Sequence, residues 1–319
     1  MSAPRIALTA IGRNTRELRR AIDFHCGVLG FRLDAGHAPI PAWAGSPLAR
    51  AEATGCAHLS LGAQRLELVE FPDAAGDPPE PRANDPWFQH FAMVVADMEA
   101  CRRRIGEHAV RPITRGGPQR LPPNTGSVTA FKFRDPEGHA LELLRFAAGH
   151  EPPAWRSRLA DGAGQPLGID HSALCTGALN EAIVFYEALG LRVTTHGLNR
   201  GGEQDDLDGL DGVALDVVAL AAPGSDVPHV ELLAYRQPRG RAAAPPDDIS
   251  ALHAGRLCFG ASDLPGLRAA MPPGCRPPTM ARGAAPAAGE LVLRDPDGHW
   301  VVVSGQGPNQ GPAASRCPR

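Results

Sequence analysis

The chain has 319 residues, of which 43% are hydrophobic and 21% are charged, and its formal net charge at pH 7 is −3. This length suffices for two domains with substantial cores. The charge gives no basic field for nucleic acid, no apolar run reaches membrane length, and the first residues lack a signal-peptide core. Seven scattered cysteines without a Cys-x-x-Cys pair favour reduced thiols. We therefore expect a cytoplasmic protein that binds neither nucleic acid nor membranes.

Four kinds of segment in the first half of the chain return in the second half, about 160 residues later. The first is a helix that ends at Leu-Gly and is followed by a strand, and the second is an apolar strand that contains a Glu. The third is a strand followed by a helix whose N-terminus begins at an Asp. The fourth is an Arg-Asp-Pro-acid-Gly-His turn followed by a strand. In chain order the pairs are 21–33 with 182–193, 64–71 with 228–236, 90–105 with 256–271, and 131–146 with 291–305. The Gly of the Leu-Gly pair is typical of a helix C-cap.

Each half is itself double, which divides the chain into four modules of strand, helix and three strands. The predicted modules are 5–71, 89–146, 169–236 and 251–304. A segment rich in Gly, Pro and charge at 148–168 separates a first domain (1–147) from a second (169–304), and 305–319 has the composition of a disordered tail. The sequence predicts an α+β protein of two similar halves, each with an open curved sheet and helices outside.

The four modules, the Leu-Gly helix ends and the Asp-Pro-acid-Gly turns resemble the vicinal oxygen chelate superfamily. This group includes glyoxalase I, methylmalonyl-CoA epimerase, extradiol dioxygenases, fosfomycin-resistance proteins and bleomycin-binding proteins. The resemblance covers nearly the whole chain apart from the linker and tail, and it implies βαβββ modules that form two cupped mixed sheets. It is specific for the fold and not for the reaction, because one scaffold hosts several chemistries.

The resemblance also implies two metal-ligand positions in each module, one early in the first strand and one on the last strand. In module order these positions hold Ala10 and Glu67, His90 and Glu142, His171 and Glu231, and Arg256 and Val302. Glyoxalase-type proteins exchange modules, so that the second pairs with the third and the first with the fourth. This pairing predicts one complete site of two His and two Glu and another that cannot hold a metal. Consecutive pairing would instead gather Glu67, His90 and Glu142.

A Glu in an apolar strand supports the metal interpretation, because a buried carboxylate costs several kcal/mol unless it is paired or metal-bound. The histidines alone are weaker indicators, and His58 or His253 could substitute as ligands if the alignment were shifted. The two Asp-Pro-acid-Gly turns have a structural interpretation, since Pro presets φ and Gly accepts positive φ. His139 and His299 follow these turns in both halves and are expected to share that structural role.

Two imidazoles and two carboxylates suit one divalent ion such as Zn, Ni, Co, Mn or Fe(II). The resemblance implies a Lewis acid that chelates adjacent substrate oxygens and stabilises an enediolate, with Glu142 or Glu231 as general base. We expect a lyase or isomerase of the glyoxalase I or epimerase kind, acting on a small oxygenated metabolite. The alternatives are a metal-free protein that sequesters a cationic compound, as bleomycin-resistance proteins do, and a ring-cleaving extradiol-type dioxygenase.

The Gly- and Pro-rich segment 115–131 is the predicted rim of the cup, with Arg120 and Asn124 as candidate substrate contacts. Because one chain contains all four modules, a monomer suffices to build the site. A homodimer could still form through edge strands.

Overall fold

The computed structural model describes residues 6–35, 38–74, 80–160, 164–225, 229–242, 246–271 and 289–305. The tail predicted at 305–319 lies, beyond Gly305, outside the described residues. The α-helices in these ranges are α1 (Leu18–Gly27), α2 (Met98–Gly106), α3 (Pro153–Ala160), α4 (Leu179–Ala188), α5 (Gly202–Asp208) and α6 (Leu264–Ala270). The strands are β1 (Ile6–Thr15), β2 (Arg32–Leu33), β3 (Gly55–Leu61), β4 (Gln64–Glu70), β5 (Gln89–Val95), β6 (Arg111–Pro112), β7 (Gln119–Arg120), β8 (Thr129–Arg134), β9 (Ala140–Arg145), β10 (Pro166–Cys175), β11 (Arg192–Arg200), β12 (Ala214–Ala221), β13 (His229–Gln237), β14 (Arg256–Ala261), β15 (Glu290–Arg294) and β16 (Trp300–Gly305).

The strands form two sheets, and each sheet combines one module from each half. The nine-stranded sheet joins the second and third modules in the order β11-β12-β13-β10-β5-β9-β8-β6, with β7 paired to β8. The seven-stranded sheet joins the first and fourth modules in the order β15-β16-β14-β1-β4-β3-β2. The α+β architecture of two mixed sheets is therefore confirmed, as is the exchanged pairing of modules. The expectation that each half has a sheet of its own is wrong.

The first strands of the modules explain this exchange. At the centre of each sheet two of them pair antiparallel, β5 with β10 and β1 with β14, while each also pairs in parallel with the last strand of its own module. Phe91 to Val95 and Ile169 to Cys175 are buried without interruption. Strands that are covered on both faces read as continuous buried runs, whereas edge strands alternate. The sheet centres consequently belong to both halves.

The two largest apolar cores, in contrast, mainly follow the halves, whereas a third cluster joins the first and fourth modules. One core cluster combines side chains of the first two modules, among them Phe24 of α1, Leu66 of β4 and Phe133 of β8. Another combines the third and fourth modules, including Phe185 of α4 and Phe259 of β14. Each half is thus a unit of packing beneath its helices, and each sheet connects the two units.

The helix ends match the sequence prediction. Leu29 and Leu189 are fully buried, and the glycines that follow them, Gly30 and Gly190, have φ of 77° and 107°. Only Gly adopts such values without strain. The Asp97 side chain accepts a hydrogen bond of 2.9 Å from the Ala100 amide and caps the N-terminus of α2.

The Asp-Pro-acid-Gly turns are held by the same hydrogen bonds in both halves. Asp135 Oδ1 accepts from the Glu137 and His139 amides at 3.0 and 2.9 Å, and His139 Nε2 donates to the carbonyl of Asn14 at 2.8 Å. In the second half, Asp295 accepts hydrogen bonds from the Asp297 and His299 amides, and His299 donates to the carbonyl of Cys175. Each imidazole ties its turn to the first strand of the other module of its own half, which fits the structural interpretation of these turns.

The segment predicted as a linker, 148–168, contains α3, and β10 begins within it at Pro166. Trp155 of α3 is fully buried, and its indole Nε1 donates a hydrogen bond of 2.8 Å to Asp170 Oδ1. This segment therefore supports the sheet as well as connecting the halves. Among the described residues, no helix is long and apolar enough to cross a membrane.

Candidate metal centre

The concave face of the nine-stranded sheet brings together the two histidines and two glutamates singled out from the sequence. Glu142 Oε2 lies 3.0 Å from His90 Nε2, and Glu231 Oε2 lies 3.5 Å from His171 Nε2. The two imidazole rings are 5.8 Å apart between centroids. All four side chains line one cavity of about 400 Å³. The convergence across the halves is thus present in the fold, and a ligand role for these residues remains a prediction.

The strand register reproduces the module alignment on which this expectation was based. In each module the last-strand position lies opposite the residue two places after the first-strand position. Glu142 lies opposite Ala92, two residues after His90, and Glu231 lies opposite Ala173, two residues after His171. In the other sheet, Glu67 lies opposite Gly12, two residues after Ala10, and Val302 lies opposite Cys258, two residues after Arg256. Alternate residues of a strand face the same side, so all eight positions point into the cups.

His90 provides the test of whether this set suits a metal ion. The residue is buried, and among the described residues neither of its ring nitrogens has a hydrogen-bond partner. The 3.0 Å contact with Glu142 is close but not aligned as a hydrogen bond. Burial lowers the pKa of His90, although Glu142 acts in the opposite direction. A buried, neutral imidazole without a partner is the form that binds a metal.

His171 is oriented by the residue before it. Asp170 Oδ2 lies 3.0 Å from His171 Nδ1, and Asp170 Oδ1 is held by Trp155. This leaves Nε2 of His171 pointing toward Glu231. Histidines that ligate metals usually donate their other ring N–H to a carboxylate in this way. The sequence prediction missed Asp170, which is adjacent to His171 but looks like an ordinary strand residue.

Glu231 lies between two imidazoles, since His229 Nε2 donates to its Oε1 at 3.3 Å and His171 lies on its other side. Burial would raise the pKa of Glu231, but His171 and His229 together lower it to about 2. For His171, burial opposes the charged form, but Glu231 and Asp170 raise its pKa to about 9. Glu231 is therefore a carboxylate at neutral pH.

A lysine beside this group was also missed. Lys132 of β8 lies opposite Glu142 of β9, and its Nζ is 2.7 Å from Asp208 Oδ1 and 3.9 Å from Glu142 Oε2. Burial alone would lower the pKa of Lys132, but Asp208 and Glu142 raise it. The Phe131-Lys132-Phe133 sequence, a charge within a buried strand, could have indicated it. Asp208 comes from α5 inside the third module, where no sequence pattern pointed to the cup.

The cavity has apolar walls above this polar floor. The walls are formed by Leu121, Val128, Leu144, Phe146, Leu207, Leu215, Val217 and Leu233. Asn124 lies on the rim, as the sequence indicated, whereas Arg120 lines a separate cavity with Thr129 and Arg145. Leu121 faces the cup, and its neighbour Arg120 points the other way because adjacent residues of an extended chain face opposite sides. The expectation that Arg120 contacts a substrate in this cup is corrected.

In the seven-stranded sheet a guanidinium occupies the matching place. Arg256 is fully buried, its Nη2 lies 3.6 Å from Glu67 Oε1, and its guanidinium carbon is 4.2 Å from the ring centroid of Trp43. Arg256 Nη1 also donates to Asn14 Oδ1 at 2.5 Å. A Cβ on Gly12 would lie 2.7 Å from Arg256 Nε, so this side chain requires glycine opposite it. The other two positions of this cup hold Ala10 and Val302. The guanidinium of Arg256 therefore occupies the place that a metal ion would take.

The structure thus defines a protein of four paired modules with one polar cup and one filled cup. Residues 7–143 match the family model of the Glyoxalase/Bleomycin resistance protein/Dioxygenase superfamily. No curated protein matches the chain.

Two solved structures show the likeness of the fold over nearly the whole length. Glyoxalase I from Zea mays aligns with a TM-score of 0.61 at 18% identity, covering 95% of this chain and 93% of that one. A Bacillus subtilis protein described as a candidate dioxygenase aligns with a TM-score of 0.54 at 16% identity, covering 97% and 87%. At these identities the comparison supports the fold alone.

Proposed function

We propose that this protein is a divalent-metal-dependent enzyme of the glyoxalase I or epimerase type, a lyase or isomerase for a small oxygenated metabolite. The observation that carries the proposal is the convergence of His90, Glu142, His171 and Glu231 on the floor of a 400 Å³ cavity. Two imidazoles and two carboxylates fit Zn, Ni, Co, Mn or Fe(II), and His90 lacks any other partner among the described residues. One such ion per chain would be held in this cup.

When bound, the ion would supply Lewis-acid chemistry toward adjacent oxygens of the substrate, stabilising enediolate-type charge. The protein would supply orientation and proton transfer. Asp170 and Trp155 hold His171 in one position, and the apolar walls exclude water from a bound substrate. Asn124 at the rim is the retained candidate for a substrate contact.

Both glutamates are candidates for the general base, and their surroundings favour Glu231. Its side chain is 20% exposed toward the cavity, against 6% for that of Glu142. Burial would raise the pKa of Glu142, but the flanking His90 and Lys132 together lower it, and the pKa of Glu231 is lowered as well. The difference in exposure therefore assigns the roles: Glu142 would remain a ligand, and Glu231, which faces the cavity, would accept a proton from a substrate carbon and return it.

The test combines metal content with turnover. We expect Glu142→Gln to remove the metal of this cup, seen as a loss of about one ion per chain by elemental analysis. Turnover of a 2-oxoaldehyde–thiol adduct or of a racemising acyl thioester should disappear with it. Val302→Ala, at the matching position of the other cup, should leave both unchanged. If the Glu142→Gln protein retains its full metal content, the four-residue site is wrong.

The metal-free sequestering protein is the second candidate, favoured by the excess of carboxylates around the cup. It would bind a cationic compound equally well with and without added metal. Its experimental outcome is a metal content that Glu142→Gln does not lower after metal-supplemented expression, with retained binding of the cation. A monomer contains the whole proposed site, so activity per chain should not change on dilution.

A further inference from the structure

The seven-stranded sheet contains a second cluster of side chains of metal-ligating type, which combines Glu67 with two residues outside the four positions already described. It lies on the β3–β4 hairpin, where His58 is directly opposite Glu67 and Cys56 is two residues before His58 on the same face. The three ligand atoms all lie within 4.8 Å of one another, and His58 Nε2 is 3.6 Å from Glu67 Oε2. Bonds of about 2.0–2.3 Å to one central ion would span such a group.

We infer that Cys56, His58 and Glu67 form a separate site for a thiophilic divalent ion such as Zn²⁺. The inference is independent of the reaction proposed for the other cup.

The internal repeat shows that the fold does not require these residue types. At the place of His58, opposite the last-strand position, the other modules have Lys132, Ala219 and Val292. At the place of Cys56, the second and third modules have Ala130 and Val217. Only the first module has a thiol and an imidazole beside its carboxylate. The fourth module has Glu290 at the place of Cys56, so these two places hold apolar residues in the other modules except for Lys132 and Glu290.

The two oxygens of Glu67 face different partners. Oε1 faces the Arg256 guanidinium at 3.6 Å, and Oε2 faces His58 at 3.6 Å. An ion between Cys56 and His58 would therefore use the Oε2 side, leaving Arg256 on the far oxygen. The carboxylate lies between the two cations and, together with a thiolate, offsets their repulsion. Arg256 itself stays stacked on Trp43.

The position of Cys56 suits a ligand role, because its thiol lies within 4.8 Å of the ligand atoms of both His58 and Glu67. A bound metal would deprotonate the thiol. All three side chains are half-buried, so an ion has access and water can complete a tetrahedral shell. A thiolate with an imidazole selects zinc-like ions, in contrast to the nitrogen and oxygen donors of the first cup.

Titration with Co²⁺ tests this site by a signal that the first cup cannot give. Thiolate coordination produces a near-ultraviolet charge-transfer absorption, which nitrogen and oxygen ligands do not. We expect this band in the unmodified full-length protein, its loss in Cys56→Ser, and an affinity at least about tenfold weaker in His58→Ala. Cys26→Ser, which alters another half-buried thiol, should retain the band.

Glu142→Gln separates this inference from the proposed function. It should remove the ion of the first cup while the thiolate band persists, and Cys56→Ser should do the reverse. Circular dichroism and thermal melting check that Cys56→Ser remains folded, as expected for a near-isosteric change. Absence of the band in the folded, unmodified protein, or its persistence in Cys56→Ser, would overturn the inference.

Discussion

A single residue beside the polar cup determines which nitrogen of His171 is free to bind. His171 presents Nε2 because Asp170 contacts its Nδ1 at 3.0 Å, and Asp170 is fixed by the Trp155 indole at 2.8 Å. This series of hydrogen bonds begins in α3, outside the sheet. The segment between the halves therefore helps to hold His171 in position.

Replacing Asp170 with Asn should weaken metal binding in this cup by about 10- to 100-fold, the usual effect of losing a carboxylate behind a histidine ligand. The Asn amide would place a donor against Nδ1 and favour the tautomer with a proton on Nε2. Isothermal titration with Zn²⁺ measures the change. The control is Asp211→Asn, an exposed carboxylate that pairs with Arg115 and does not line the cavity. Equal affinities for both variants would exclude the orienting role.

Residue-level patterns indicated the candidate ligand positions but not their neighbours. His90, Glu142, His171 and Glu231 could be singled out because the resemblance to the vicinal oxygen chelate superfamily implies two positions in each module, and the internal repeat aligned the four modules. Asp170 and Asp208 could not, because a lone Asp in a strand or a short helix has no distinguishing pattern. Arg120 was misplaced for a related reason, since the sequence did not fix which residues of 119–121 face inward.

At the level of elements, the segments that join modules are clamped to each other. Asp85, before β5, is fully buried and accepts hydrogen bonds from the Arg241 amide at 2.9 Å and from its guanidinium, while Arg241 lies over the Trp87 ring at 5.0 Å. Gly240 packs so closely on the Asn84 carbonyl that a Cβ there would clash. The clamp joins the first half to the second beside the polar cup.

Asp85→Asn should lower the free energy of unfolding by about 1.5–3 kcal/mol at pH 7, as expected for hydrogen bonds to a charged group. Burial would raise the pKa of Asp85, but Arg241 and backbone donors lower it below its ordinary value. This contribution is therefore complete above about pH 4 and disappears as the pH falls through the lower folded pKa. Urea denaturation from pH 7 to pH 3 should show the two proteins converging at the acid end.

The exposed pair Arg50–Asp247 is the matched control, because its side chains are 64% and 72% exposed. Asp247→Asn should change stability by less than about 1 kcal/mol at any of these pH values. A stability difference for Asp85→Asn that is constant across the range would contradict the assigned pKa direction.

For the whole molecule, apolar packing and ligand placement divide the chain differently. The two main cores follow the halves, while both cups cross between halves. Sequence patterns could predict the modules and their strands because turns, Leu-Gly ends and alternation are local. They could not decide which modules share a sheet, since all four first strands are similarly apolar. The distribution of His and Glu favoured the exchange, because only the second and third modules together hold a full set.

This division predicts how the protein behaves when it is expressed as two pieces, 1–147 and 148–319. Each piece keeps its own core cluster and should have helical structure by circular dichroism. The first piece exposes the central strands β1 and β5, and the second piece exposes β10 and β14. Each piece should therefore self-associate on a sizing column. Neither should bind metal as the intact polar cup does, because His90 with Glu142 and His171 with Glu231 lie on different pieces. Mixing should restore binding with the affinity of the intact chain. Equal affinity in either piece alone would show that the cup is not shared between the halves.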